Sequence, residues 1–164
     1  MNTSKMLAIC GEKNSGKTTI IERIIPLLNK KGIRTSVIKH DAHNFIADTP
    51  GTDSYRAFNA GAQEVVVFDN EKFMLTSKKI TNEKFLINLF QDTDLIILEG
   101  FKKSEYPKIQ IVSNSSSYDL QNNVIAIICD EKVSMDIPVI RREDIKEIAK
   151  LVLNYVDGKD NFTG

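Results

Sequence analysis

Residues Gly11-Glu12-Lys13-Asn14-Ser15-Gly16-Lys17-Thr18 follow the pattern Gly, four residues, Gly, Lys, then Ser or Thr, and they separate two segments of different periodicity. Ahead of them runs Met6-Leu7-Ala8-Ile9-Cys10, a short apolar stretch that predicts a buried strand. Behind them, Thr19-Ile20-Ile21-Glu22-Arg23-Ile24-Ile25 repeats its apolar residues at helical spacing. Strand, loop and helix in this order constrain the fold strongly. The glycines let the backbone turn with its N–H groups facing inward, beside the positive end of the helix, and that cradle suits the phosphates of a nucleotide. Lys17 is placed to reach the β and γ phosphates, and the Thr18 hydroxyl to ligate Mg²⁺. The motif fixes the ligand class, a nucleoside triphosphate or a similar phosphate, and leaves the base and the reaction open.

The remaining composition suits one such unit. A chain of 164 residues with 41% apolar content predicts one nucleotide-binding domain over residues 1–156, followed by a polar tail at 157–164. Twenty-two basic residues balance twenty-two acidic ones, so the chain carries no general footprint for nucleic acid or an anionic membrane. Cys10 and Cys129 each end an apolar run, where a buried reduced thiol is expected and a disulfide or metal framework is not. No apolar run approaches the roughly eighteen residues of a membrane span, so a cytoplasmic protein is expected.

Along the chain, Gly32 marks the end of the first helix, with Lys30 and Lys31 beside its negative end, and Thr35 to Lys39 predicts a second strand. His40 to Asp53 lacks a period and contains Pro50 and Gly51, so it is a loop long enough to carry function. Ser54 to Ala60 predicts a short helix. Glu64 to Phe68 and Lys72 to Thr76 predict a hairpin, which would make the sheet mixed at one side. Thr81 to Phe90 predicts a helix with Thr81 as its cap. Leu95-Ile96-Ile97-Leu98 is the most apolar run and reads as a central strand buried on both faces. Lys108 to Val112 and Val124 to Cys129 predict two more strands around a Ser- and Asn-rich loop, and Arg141 to Tyr155 a closing amphipathic helix. Together these predict a three-layer α/β fold of the P-loop NTPase type, mostly parallel, with an antiparallel hairpin at one side and the phosphate loop at the carboxyl end of the first strand.

A phosphate loop needs a further acid near the metal. Glu99 ends the buried strand, where an adjacent parallel strand would deliver its carboxylate beside the loop, and it is the preferred candidate for the metal and for catalysis. Asp48, in Asp48-Thr49-Pro50-Gly51, is the second candidate, set against a plain turn-forming role. His40 and His43 form a His-x-x-His pair with no third ligand nearby, which favours contact with a phosphate or a partner over a metal site. Arg56, Lys102 and Lys103 are candidate anion contacts, or else solvated surface. No Asn-Lys-x-Asp segment for reading guanine occurs, but Asp130 follows a late strand and stands in a comparable place.

At this point the chain resembles the molybdopterin-guanine dinucleotide biosynthesis protein B (MobB) family. The likeness rests on the loop from Gly11 to Thr19, on Ile38-Lys39-His40-Asp41-Ala42-His43, on Asp48 to Arg56, on Ala60-Gly61-Ala62 and on Leu98-Glu99-Gly100-Phe101-Lys102. It covers about two thirds of the chain. The resemblance implies a cytoplasmic GTP-binding protein and homodimer with weak GTPase activity, a helper to the guanylyltransferase MobA that attaches GMP to molybdopterin. Under it Gly11 and Lys13 through Thr19, namely Lys13, Asn14, Ser15, Gly16, Lys17, Thr18 and Thr19, hold the nucleotide, with Thr18 and Glu99 at Mg²⁺. Lys17, Glu99 and Asp48 are then the catalytic candidates. His40, His43, Asp48, Asp53 and Arg56 line a neighbouring surface for the pterin phosphate or the partner enzyme, and Asp130 remains the candidate contact to the base. The competing readings are an adaptor that binds GTP without needing to hydrolyse it and a small-molecule kinase, which would require an arginine-rich lid.

Overall fold

A computed structural model of the chain describes residues 4–41, 45–79, 82–90, 92–113, 119–131 and 133–159. Two compact units divide it: Met1–His40 with Leu86–Gly164, and Asp41–Phe85.

The first unit is built on a six-stranded sheet. Its strands are β1 (Lys5–Gly11), β2 (Thr35–Lys39), β5 (Leu95–Glu99), β6 (Lys108–Ile111), β7 (Val124–Ile128) and β8 (Val139–Ile140), in the order β2-β5-β1-β6-β7-β8. Every pairing in it is parallel. Strands buried on both faces need no polar alternation, and β5 is buried at all five positions. Alternate residues serve opposite layers, because side chains in a strand alternate faces. Leu7, Ile9, Leu95 and Ile97 pack toward helices α1 (Lys17–Asn29) and α4 (Ile145–Asp157), whereas Ala8, Ile38, Ile96 and Leu98 pack with Ile87, Phe101 and Tyr106. That is the predicted three-layer arrangement.

The α1 helix starts two residues earlier than its apolar period suggests, at Lys17, and runs through Pro26 to Asn29. The proline removes one backbone donor, but burial of Ile20, Ile21, Ile24 and Leu28 along one face holds the helix together across it. At the far edge, β8 has no counterpart in the sequence reading. Two residues between Pro138 and Arg141 are too few to show a period, and only pairing with Ile127 and Ile128 makes them a strand. Residues Arg141 to Asp144, expected to open the last helix, instead form a turn ahead of it, and α4 begins at Ile145. Tyr155 on α4 donates its hydroxyl to the Met6 carbonyl at 2.7 Å, which ties that helix to β1.

In the second unit, α2 (Asp53–Asn59) starts from Thr52, whose hydroxyl accepts the Tyr55 N–H at 3.3 Å. The hairpin is present as β3 (Glu64–Phe68) and β4 (Phe73–Ser77), and it makes a two-stranded antiparallel sheet of its own rather than adding to the parallel one. Helix α3 (Glu83–Leu89) begins in this unit, continues from Leu86 in the first, and is shorter than predicted. Asn82 accepts the Phe85 N–H at 3.0 Å at its start, while the expected cap Thr81 lies outside the described residues. Residues 160–164 of the expected tail also lie outside them.

Candidate functional site

The octapeptide wraps the carboxyl end of β1 and leads directly into α1. Gly11 has φ +155°, and a Cβ there would stand 2.6 Å from Ser15 Oγ and 2.7 Å from the Ile111 carbonyl, so only glycine fits. Asn14 and Gly16 also take positive φ, 62° and 88°. Gly16 occupies the cap position of α1 and offers no side chain to its first amides. Those amides have no acceptor within the helix, and an anion can satisfy them. The Ser15 hydroxyl is buried with no hydrogen-bond partner among the described residues, a second unfilled polar group in the same loop. Lys17 reaches back over the loop, its ammonium donating to the carbonyls of Glu12 at 2.7 Å and Gly11 at 3.2 Å.

Glu99 is delivered as its strand position suggests. Strand β5 lies next to β1, with Glu99 in register with Ile9, and its side chain is buried. One carboxylate oxygen accepts the Thr18 hydroxyl at 2.8 Å. The same oxygen lies 3.3 Å from the Lys39 ammonium. A buried carboxylate requires a cation, and Lys39 supplies it here. Lys39 was not picked out in the sequence as a site residue. It sits opposite Glu99 only because β5 is inserted between β1 and β2, an order that the linear chain conceals.

The loop, the uncapped helix start, the orphan Ser15 hydroxyl and the Thr18–Glu99 pair fit a magnesium nucleotide. Gly11 to Thr18 would hold the phosphates, and Thr18 and Glu99 would hold the metal, where Lys39 now neutralises the acid.

The second loop candidates are placed differently. His40 follows β2, donates its N–H to the Glu99 carbonyl at 3.2 Å and sets its ring edge-on to Phe101 at 5.8 Å. His43 lies outside the described residues, and among these no group of three His, Cys, Asp or Glu side chains is arranged to hold a metal. Asp48, Asp53 and Arg56 belong to the second unit. The Asp48 carboxylate is held below the usual range, chiefly by the Ser54 hydroxyl and also by the Thr49 N–H at 2.7 Å, and it shapes the turn before α2. Asp53 and Arg56 form an exposed ion pair at 3.7 Å. Lys102 lines a cleft beside the loop with Glu12, Gln110 and Asp119, and Lys103 is exposed in the same turn. Burial pushes the Cys10 thiol in that cleft upward in pKa, and both cysteines are free and buried.

Asp130 follows β7 and faces Arg142. Its Oδ1 accepts the Arg142 backbone N–H at 3.0 Å, and its Oδ2 lies 3.2 Å from Arg142 Nε, in ionic contact without a directed hydrogen bond. The guanidinium then reaches the phosphate loop, where Nη1 donates to the Ser15 carbonyl at 2.7 Å. Arg142 is the second residue that sequence reasoning passed over. Its role depends on a contact between positions 127 residues apart, with no local signal to mark it.

The chain as a whole is similar to known proteins. A family model for molybdopterin guanine dinucleotide synthesis protein B (MobB) matches residues 6–130. A molybdopterin-guanine dinucleotide biosynthesis adapter protein of Escherichia coli (strain K12) is 30% identical over 162 residues, covering 92% of this chain and 93% of its own. Its namesake in Haemophilus influenzae is 32% identical, covering 94% of this chain and 91% of its own. Among solved structures, Bacillus subtilis MobB superposes with a TM-score of 0.78 at 33% identity, covering 92% of this chain and 96% of that one. Since the family model spans residues 6–130 of the 164, and these relatives are 30% and 32% identical over 92% and 94% of the chain, the chain belongs to the molybdopterin guanine dinucleotide synthesis protein B family.

Proposed function

We propose that this chain is a GTP-binding adapter of molybdopterin guanine dinucleotide biosynthesis, loaded with Mg²⁺ and slow to hydrolyse its nucleotide. In that role it supports the guanylyltransferase MobA in joining GMP to molybdopterin. The observation that carries the reading is the hydrogen bond from Thr18 to the buried Glu99 beside an uncapped helix start. A hydroxyl on the loop and an acid on the neighbouring strand, already in contact, supply the two protein oxygens that a nucleotide-bound Mg²⁺ needs. When bound, Mg²⁺ would neutralise charge on the β and γ phosphates. Lys17 would turn its ammonium from the loop carbonyls to those phosphates, and Lys39 would yield Glu99 to the metal.

Slow hydrolysis follows from what the arginines are doing. Fast phosphoryl transfer uses an arginine on the developing charge. Arg142 is engaged with the Ser15 and Val112 carbonyls and with Asp130, and Arg34 is locked to Asp94. Arg141 pairs with Glu143 at 2.9 Å and Arg56 with Asp53 at 3.7 Å, and Arg23 lies on the exposed side of α1. The same engagements count against a kinase lid and favour a protein whose bound GTP matters more than its cleavage.

The family adapters named for this pathway support the partner assignment, and the balanced charge of 22 basic and 22 acidic residues counts against nucleic acid. Exposed apolar residues on the hairpin, Val66, Val67, Phe68, Phe73 and Leu75, offer surface of the kind a homodimer covers. Two free thiols agree with a cytoplasmic protein, and among the described residues no helix is long and apolar enough to cross a membrane. The experiment is a calorimetric titration of GTP and of ATP, each with Mg²⁺, repeated with purified guanylyltransferase present. Preference for GTP, and tighter association with the guanylyltransferase when GTP is bound, are expected. Preference for ATP would move the chain to the kinase reading.

A further inference from the structure

Asp130 stands where a carboxylate can meet a nucleotide base, yet its own contacts run the other way. Both of its oxygens are directed at Arg142, one to the backbone N–H and one toward Nε. From that anchor the guanidinium crosses to two further elements. Nη1 donates to the Ser15 carbonyl at 2.7 Å, and Nη2 donates to the Val112 carbonyl at 2.9 Å, with Ser113 Oγ at 3.4 Å. One side chain therefore joins the phosphate loop to the ends of β6 and β7.

The peptide that Arg142 grips matters for the loop. A trans peptide points its C=O and N–H in opposite directions, so fixing the Ser15 carbonyl against Arg142 also fixes the Gly16 N–H on the opposite side. Gly16 is the residue at φ 88° that turns the loop into α1. Arginine suits this task because its planar fork presents several donors in fixed directions, which a single ammonium does not.

Resting on the phosphate-loop reading above, we propose that Arg142 is a positioning residue of the phosphate site and that Asp130 anchors it instead of reading the base. The carboxylate holds the guanidinium, the guanidinium holds the Ser15 carbonyl, and the loop amides are thereby aimed before any ligand arrives. Preorganisation of this kind strengthens binding by lowering the cost of ordering the loop.

The test uses inorganic tripolyphosphate, which has phosphates and no base, titrated with Mg²⁺ into the wild-type protein, D130N, R142K, R142A and the D130N/R142A pair. Arg142→Ala is expected to weaken it about tenfold and Asp130→Asn about threefold, with R142K between them. The double variant should be no worse than R142A, because both changes break one chain of contacts. Unchanged tripolyphosphate affinity in D130N, with a reduced preference for GTP over ATP, would make Asp130 a base reader and overturn the proposal. A lowered Tm with unchanged tripolyphosphate affinity in R142A and R142K would reduce Arg142 to a structural contact and overturn it too. Amide hydrogen exchange on the ligand-free proteins supplies a readout that needs no nucleotide. Ser15 and Ile20, whose N–H groups donate to the Glu12 and Gly16 carbonyls at 3.2 and 3.0 Å, should exchange faster in D130N and R142A while the amides in the middle of α4 stay protected; unchanged exchange at both contradicts the proposal. If the wild-type protein binds no tripolyphosphate, the phosphate-loop reading fails by itself, and the exchange data still decide whether Arg142 sets the loop.

Discussion

Strands β5 and β3 are both dominated by aliphatic residues, Leu-Ile-Ile-Leu in one and Val-Val-Val in the other, but the first is buried at all five positions and the second at none. The difference lies in their neighbours. Strand β5 has a parallel partner on each side, β2 and β1, and packed layers above and below. Strand β3 pairs with β4 alone, and Val66 and Phe68 remain 55% and 79% exposed. A two-stranded sheet is marginal by itself in water. Among the described residues of Asp41–Phe85 none is buried, whereas the other unit holds the entire core and the phosphate loop. Apolar content therefore gives a strand only its potential for burial, and topology decides whether that potential is met. The proposed nucleotide site rests on the unit that meets it.

The sharpest break of this comparison is a pair of truncations. Ile97→Ala, at a fully buried position, is expected to cost about 3–4 kcal/mol in urea unfolding. Val66→Ala on the hairpin is expected to cost less than about 1 kcal/mol in the monomer. Equal costs would show that the hairpin is as tightly packed as the central sheet.

Glu99→Gln probes the site that the central sheet positions. It should leave GTP affinity within about threefold and lower Mg²⁺-dependent turnover about tenfold or more, because the amide keeps the Thr18 contact and loses the charge proposed to hold the metal. Equal turnover in both proteins would remove Glu99 from the metal site.

A smaller effect concerns how β5 and β2 are pinned at their starts. Arg34 donates to Asp94 through its backbone N–H at 2.8 Å, Nε at 3.1 Å and Nη2 at 2.9 Å. These bonds hold the Asp94 carboxyl down at about 2. A carboxyl held below its unfolded value stabilises the fold fully above about pH 4, and the contribution is lost as pH falls toward 2. The clasp is solvent-exposed, so its worth is discounted to about 0.5–1 kcal/mol. Asp94→Asn should remove that part of the acid dependence and leave stability near pH 7 lower by the same amount. An unchanged acid limb would assign the dependence to other carboxylates.

The phosphate loop, the β5 strand and Glu99 were legible in the sequence because each carries a local signature: fixed glycines and a lysine, an uninterrupted apolar run, and an acid at the end of that run. The two-residue β8 was not, since it has no period and exists only through its pairing with β7. Lys39 and Arg142 were invisible for a related reason. Lys39 meets Glu99 because β5 is inserted between β2 and β1, and Arg142 meets Ser15 from the opposite end of the sequence. Asp130 was visible as an acid after a strand, but the sequence did not reveal that an arginine twelve positions later occupies it.

The most direct test of the central claim is calorimetric titration of GTP with Mg²⁺ into the wild-type protein and Lys17→Ala. Loss of the ammonium that now spans the Gly11 and Glu12 carbonyls should weaken GTP about 100-fold, roughly 2.7 kcal/mol, with unfolding stability nearly unchanged. Equal GTP affinity in the two proteins would contradict the assignment of this loop as the nucleotide site.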